Sequence, residues 1–182
     1  VINKIYGYKG IKLFYKKTKR SFSYFRNIYH IFVKKITRMF NKETEYALRG
    51  LVYIQSRNNT GANPGIDEIA REVDAPRFFI AKILQRLVRQ GFLSSLKGKG
   101  GGFFFDKSRP DISLRELIEA IEGPSKINGC GFGLKNCSEE HPCPLHEKYA
   151  PIRNAINELV STETIQSLAG KYPNINLRYI SS

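Results

Sequence analysis

Three cysteines, Cys130, Cys137 and Cys143, fall within 14 residues, and the 182-residue chain contains no other. His146 stands three positions beyond the last of them. The segment therefore spaces its donors as C-x6-C-x5-C-x2-H. An odd count in one tight group is a poor disulfide framework. It suits a metal or cluster site in a reducing compartment, and so a cytoplasmic protein. Three thiolates and an imidazole can hold an iron–sulfur cluster or a zinc ion. Zinc knuckles favour tighter pairs, about two to four residues apart. The wider, glycine-containing spacing fits a surface-exposed cluster better, with zinc as the alternative. His141 is a weaker ligand candidate and reads as a solvated loop residue. A thiol oxidoreductase would want a C-x-x-C pair near a βαβ pattern. Neither occurs, and no Ser/His/Asp or paired-carboxylate arrangement is placed for catalysis, so the chain does not read as an enzyme.

The elements around that loop read as mainly α with a small β-hairpin. Residues 43–57 carry apolar positions at helical spacing (Tyr46, Ala47, Gly50, Leu51, Ile54). Residues 58–65 are rich in Asn, Gly and Pro and read as a loop. Ile66, Ile69, Ala70 and Val73 then form one face of a short helix, and Asp74-Ala75-Pro76 breaks it. A second helix is expected to bury Phe79, Ile80, Ile83, Leu84 and Leu87 and to end at Gly91. Two apolar stretches, Phe92–Leu96 and Phe103–Phe105, flank a Lys-Gly run and predict a hairpin. Ser113 and Glu116 form a capping box for the next helix, which Gly123-Pro124 stops. A longer helix begins near residue 145, with Ile152, Ala155, Ile156 and Leu159 on one stripe. That stripe has no evident partner within so small a domain, and pairing with a second copy is its natural use. A short helix ends at Gly170, and 171–182 read as a tail.

Helix, turn, helix and hairpin in this order form a winged helix-turn-helix pattern. Once its buried stripe is removed, the second helix presents Arg77, Phe78, Ala81, Lys82, Gln85 and Arg89. Base edges in the major groove are read by side chains of this kind. Arg77, Phe78, Lys82 and Gln85 are the expected contacts, with Lys97 and Lys99 of the hairpin tip set against phosphates. The expected organisation is a winged domain over 39–123, a cysteine loop over 124–144, a dimerisation helix with a short terminal helix over 145–170, and the tail.

The net charge of +14 is unevenly placed. Residues 1–38 hold 11 Lys and Arg and no Asp or Glu, which leaves 19 basic against 16 acidic residues in the remainder. The headline basicity therefore says little about the winged domain, and only the local placement of its charges counts. Met39 is the sole methionine. The preferred reading is that translation starts there and that 1–38 are an upstream extension; the alternative is a basic arm that grips phosphates or a membrane surface. No run of about 18 apolar residues occurs, so nothing reads as a membrane span.

From Met39 to about Gly170 the chain resembles the Rrf-two (Rrf2) family of bacterial winged-helix regulators. The motifs that carry the resemblance are EYALR at 45–49, EIAREVDAP at 68–76, AKILQRLVRQGFLSS at 81–95, KGKGGGF at 97–103, SLRELIEAIEG at 113–123, and the cysteine loop. The resemblance implies a homodimer paired through its long helix, and double-stranded operator DNA as ligand. It also implies an iron–sulfur cluster on Cys130, Cys137 and Cys143 that tunes operator affinity, most simply in a repressor. Loss or alteration of the cluster would relax the loop and shift the two recognition helices. Some members complete a 2Fe–2S site with a histidine, here His146. Others complete a 4Fe–4S site with a carboxylate of the partner subunit, at the position of Glu45 here. The local His146, and so 2Fe–2S, is preferred. The rival function is a zinc-stabilised or cluster-free repressor with no sensing role. Ala81 stands where some members carry a groove-facing Glu, so no operator sequence carries over.

Overall fold

In the computed structural model the described residues are 39–135, 137–171 and 176–178. The readings of 1–38, and of the tail apart from 171 and 176–178, lie outside them. From Phe40 onward the described residues cluster as one compact unit.

Helix α1 (Lys42–Asn59) starts at Asn41, whose side chain accepts the Thr44 amide at 2.8 Å. Glu43 and Glu45 in its first turn suit the positive end of the helix dipole. It buries Ala47, Leu51, Val52 and Ile54. Helix α2 (Ile66–Glu72) and helix α3 (Arg77–Arg89) pack against each other and against α1. The turn between α2 and α3 puts Asp74 at φ 49°, a left-handed conformation that Asp tolerates better than most residues.

Ile80, Ile83, Leu84 and Leu87 of α3 are buried as expected. Phe79 is not, at 38% exposure. Residues advance by roughly 100° each around a helix, so position 79 sits on the shoulder of that stripe. Its ring stands edge-on to Tyr46 of α1, with centroids 5.7 Å apart.

Strands β1 (Ser94–Leu96) and β2 (Gly102–Phe104) pair antiparallel as the wing, with Ser95 opposite Phe103. Strand β1 is shorter than its apolar stretch suggested, and β2 keeps three residues but begins one residue earlier. The outer edge of β2 meets the α1–α2 loop, where the Phe103 amide donates to Pro64 O at 3.0 Å. This close approach requires Gly102: a Cβ there would lie 2.2 Å from Asn63 O. Asn58, near the end of α1, accepts the Phe105 amide at 3.0 Å and so holds the wing to the helical body.

The capping box of helix α4 (Leu114–Glu122) is present, with the Ser113 amide donating to Glu116 Oε2 at 2.8 Å. A single turn, α5 (Ser125–Asn128), follows inside what read as plain loop and buries Ile127. Helix α6 (His146–Thr162) buries only Val160, while Ile152 and Leu159 are exposed. Helix α7 (Ile165–Lys171) returns to pack on α1 and buries Ile165 and Ala169. The architecture is thus mostly helical with one two-stranded hairpin, as the sequence predicts. Among the described residues no helix is long and apolar enough to cross a membrane.

Candidate nucleic-acid interface and thiol centre

Burial of one side of α3 leaves Arg77, Phe78, Lys82, Gln85 and Arg89 exposed on the other. A groove runs between α3 and the wing, lined by Arg77, Ala81, Gln85, Arg89 and Lys97 among others. Phe78 and Lys82 do not line it; they occupy the other exposed flank of the helix, one turn apart. Lys97 and Lys99 are exposed at the wing tip. Asp67 of α2 also lines the groove and makes a short ion pair with Arg77. Nothing in the local pattern signals that partnership, because the two residues meet only through the packing of α2 on α3.

A second set of contacts lies behind α3. Arg86 pairs with Glu43 at the start of α1 at 3.0 Å. The same end of α1 is bound by Glu122 of α4, whose Oε1 accepts the Thr44 hydroxyl at 2.7 Å and the Asn41 amide at 2.9 Å. Lys126 of α5 reaches the other Glu122 oxygen at 3.4 Å. The sequence reading missed Glu122, although one signal was present. An acidic residue at a helix C-terminus opposes the helix dipole, so it asks for a partner elsewhere.

The chain leaves α5 directly into the thiol centre. The sulfur atoms of Cys130, Cys137 and Cys143 lie within 4.8 Å of one another. Cys130 and Cys143 approach to 3.5 Å, and His146 Nδ1 stands 3.1 Å from Cys137 Sγ. All three cysteines are free; Cys143 is buried and the other two are half-buried. His146 is the first residue of α6, so the helix start fixes it, and its amide donates to Cys143 O at 2.9 Å. Gly131 lets the loop lie on α6, since a Cβ there would come within 2.9 Å of the Tyr149 ring.

Burial acts against a charged Cys130, yet the amides of Leu134 and Phe132, together with the Cys143 and Cys137 thiols, bring its pKa down to about 7. Burial pushes the Cys143 thiol up, with Cys130 beside it adding to the effect. A site that gathers soft donors, poises one of them near neutrality and leaves them unlinked has the donor chemistry for a thiolate-bound metal or cluster.

His141 takes no part: its amide donates to Ser138 Oγ in an exposed turn. Glu45 lies on α1, paired with Lys42 at 2.8 Å, and is not in the thiol group.

Residues 40–171 match the Rrf2 family, described as "Iron-dependent Transcriptional regulator". A protein of Aquifex aeolicus (strain VF5), assigned by name to HTH-type transcriptional regulators, is 30% identical over 132 residues, which cover 71% of this chain and 90% of that protein. Protein aau3 of Rhizobium meliloti (strain 1021) is 31% identical over 143 residues, 74% of this chain and 87% of that one. Among solved structures, CymR, the global cysteine regulator of B. subtilis, superposes with a TM-score of 0.59 at 21% identity, covering 72% of this chain and 96% of CymR. T. potens IscR gives 0.56 at 14% identity, with coverage of 75% and 90%. At these identities the two structures speak for the fold.

Proposed function

This chain belongs to the Rrf2 family of transcriptional regulators, and we propose that it is a dimeric, cytoplasmic repressor whose operator affinity depends on an iron–sulfur cluster at its thiol centre. The observation that carries this reading is the convergence of three unlinked thiols and one imidazole on a single loop. Cys130, Cys137 and Cys143 would hold the cluster. His146 would complete it, which its 3.1 Å approach to Cys137 supports and which favours the two-iron form. The partner subunit's Glu45 is the alternative fourth ligand and would accompany a four-iron form. When bound, such a group supplies iron–sulfur bonds sensitive to oxidation, nitric oxide and iron supply, together with added charge at the loop.

Everything else falls to the chain itself. Arg77, Phe78, Lys82 and Gln85 meet base edges in the major groove, and Lys97 and Lys99 meet phosphates. The exposed stripe of Ile152, Ala155 and Leu159 on α6 joins a second copy. Two-fold symmetry then puts half-sites about 34 Å apart, or a multiple of that. The loop communicates with α3 through α5, Glu122 and the start of α1. A coupling of about 1–3 kcal/mol along that route gives roughly 5- to 150-fold regulation.

One observation favours zinc as a second reading. The 3.5 Å separation of Cys130 and Cys143 is close to the edge of a tetrahedral ion site with bonds of about 2.3 Å. Anaerobic purification decides between them. A coloured protein with matched iron and sulfide, whose operator affinity changes on air exposure, supports the cluster. A colourless protein with stoichiometric zinc and constant affinity refutes it.

A further inference from the structure

Phe78 is the most exposed large hydrophobic residue described, at 83%. It lies in the first turn of α3, directly after Arg77. Its direction is fixed by its neighbours. Phe79 rests edge-on against Tyr46 of α1, and Ile80 is fully buried. A step back of roughly 100° around the helix turns Phe78 off the body of the domain. It shares that outer flank with Lys82, one turn on. The aromatic ring contributes nothing to the core, whereas a polar residue would sit there at no cost.

The N-terminal part of a recognition helix enters the major groove. Base edges there offer hydrogen-bond donors and acceptors that a phenyl ring cannot use. The apolar feature among them is the 5-methyl group of thymine, which side chains such as Phe recognise by contact. Apolar wedges between base steps are the other use of such residues on DNA, but they act from the minor groove. We propose that Phe78 is a specificity-determining residue that packs on the 5-methyl group of one thymine in each operator half-site. The inference rests on α3 being the recognition helix of the regulator described above.

The test uses the full-length protein and the tightest duplex it selects from a random-sequence library. Each thymine is replaced in turn by deoxyuridine, which removes the methyl group alone. Wild type should lose about 4-fold in affinity at one thymine position per half-site, and about 15-fold when both half-sites are changed, the effect of burying one methyl each. Phe78→Ala should bind the thymine duplex at least that much more weakly and no longer distinguish thymine from deoxyuridine. Its melting temperature should match wild type, because the side chain is exposed. Wild-type indifference to deoxyuridine at every position overturns the proposal, and so does a Phe78→Ala protein that still discriminates. Lys82→Ala and Gln85→Ala separate the underlying reading. If they leave operator binding unchanged, or if selection yields no preferred sequence, α3 is not the recognition helix. If they weaken binding while the methyl effect is absent, only the thymine inference fails.

Discussion

Replacing Glu122 with alanine removes the acceptor on which the start of α1 is built. The Glu122 side chain is only 7% exposed, and one of its oxygens takes both the Thr44 hydroxyl and the Asn41 amide. Thr44 is itself 1% exposed, so in the variant its hydroxyl loses its partner in a place water reaches poorly. Leaving a buried donor unsatisfied costs about 1–3 kcal/mol. Loss of a negative charge beside a helix N-terminus adds about 0.3–1 kcal/mol. The Lys126 pair adds about 0–1 kcal/mol. Glu122→Ala should therefore destabilise the protein by about 3 kcal/mol, a large share of a typical domain stability of about 5–15 kcal/mol. For a domain of this size that is a fall of about 10 °C in Tm. Glu122→Gln keeps an oxygen for Thr44 and should lose only about 1 kcal/mol. Urea and thermal unfolding followed by circular dichroism measure both. Equal losses in the two variants would show that charge, not the hydrogen bond to Thr44, matters. A loss under about 0.5 kcal/mol for Glu122→Ala, the scale of ordinary surface substitutions, would refute the account altogether. Operator binding adds a second readout. Because Glu43 beside this junction holds Arg86 of α3, Glu122→Gln should narrow the difference in affinity between metal-loaded and metal-free protein. An unaltered difference means that the coupling runs by another route.

Three further variants test the interface and the thiol centre. Asp67→Asn should release Arg77 and remove a carboxylate from the groove, tightening nonspecific DNA binding by a few-fold without changing Tm, since exposed pairs contribute about 0–1 kcal/mol; weaker binding in a filter or anisotropy assay would show that the pair orients Arg77 rather than restrains it. Lys97→Ala with Lys99→Ala should reduce the slope of log K against log salt by about 2, and an unchanged slope means that the wing tip does not meet phosphate. Cys137→Ala should abolish bound metal and visible absorbance while leaving the far-ultraviolet dichroism of the helices intact; if this variant unfolds, the centre is a structural staple and not a sensor.

The parts of the fold that could be read from the sequence are those governed by local period. The buried stripe of α3, the capping box at Ser113 and the Lys-Gly hairpin each lie within a few residues, where helical spacing and turn chemistry decide the outcome. Phe79 shows the limit of that rule. On the shoulder of an apolar stripe, burial depends on what the neighbouring helix presents, and Tyr46 covers only one edge of the ring. Four-residue α5 is too short to show a period at all, and the docking of α7 on α1 joins residues more than a hundred positions apart. At the thiol centre the donor types and their spacing were legible, because Cys and His are rare and chemically distinctive. The pairing of His146 with Cys137 was not, since it depends on where α6 starts relative to the loop.

The modest charge of the domain after residue 38 looks insufficient for a DNA-binding protein until the acidic residues are located. Glu43 is paired with Arg86, Glu68 with Arg57, Glu163 with Lys171, and Glu122 sits at the start of α1. These carboxylates are engaged within the fold and contribute little field at the groove. Lys82, Arg89, Lys97 and Lys99 are exposed on α3 and the wing. Asp67 is the acidic residue that lines the groove, and it faces Arg77. Screening confines the field to about 8–10 Å at ordinary ionic strength, so a phosphate at the groove meets this local excess and not the net charge of the chain. Neutralising Asp67 changes that excess, whereas neutralising a paired carboxylate such as Glu163, which caps the end of α6, does not. Nonspecific DNA affinity should accordingly rise for Asp67→Asn and stay fixed for Glu163→Gln, although both substitutions change the net charge of the protein by the same amount.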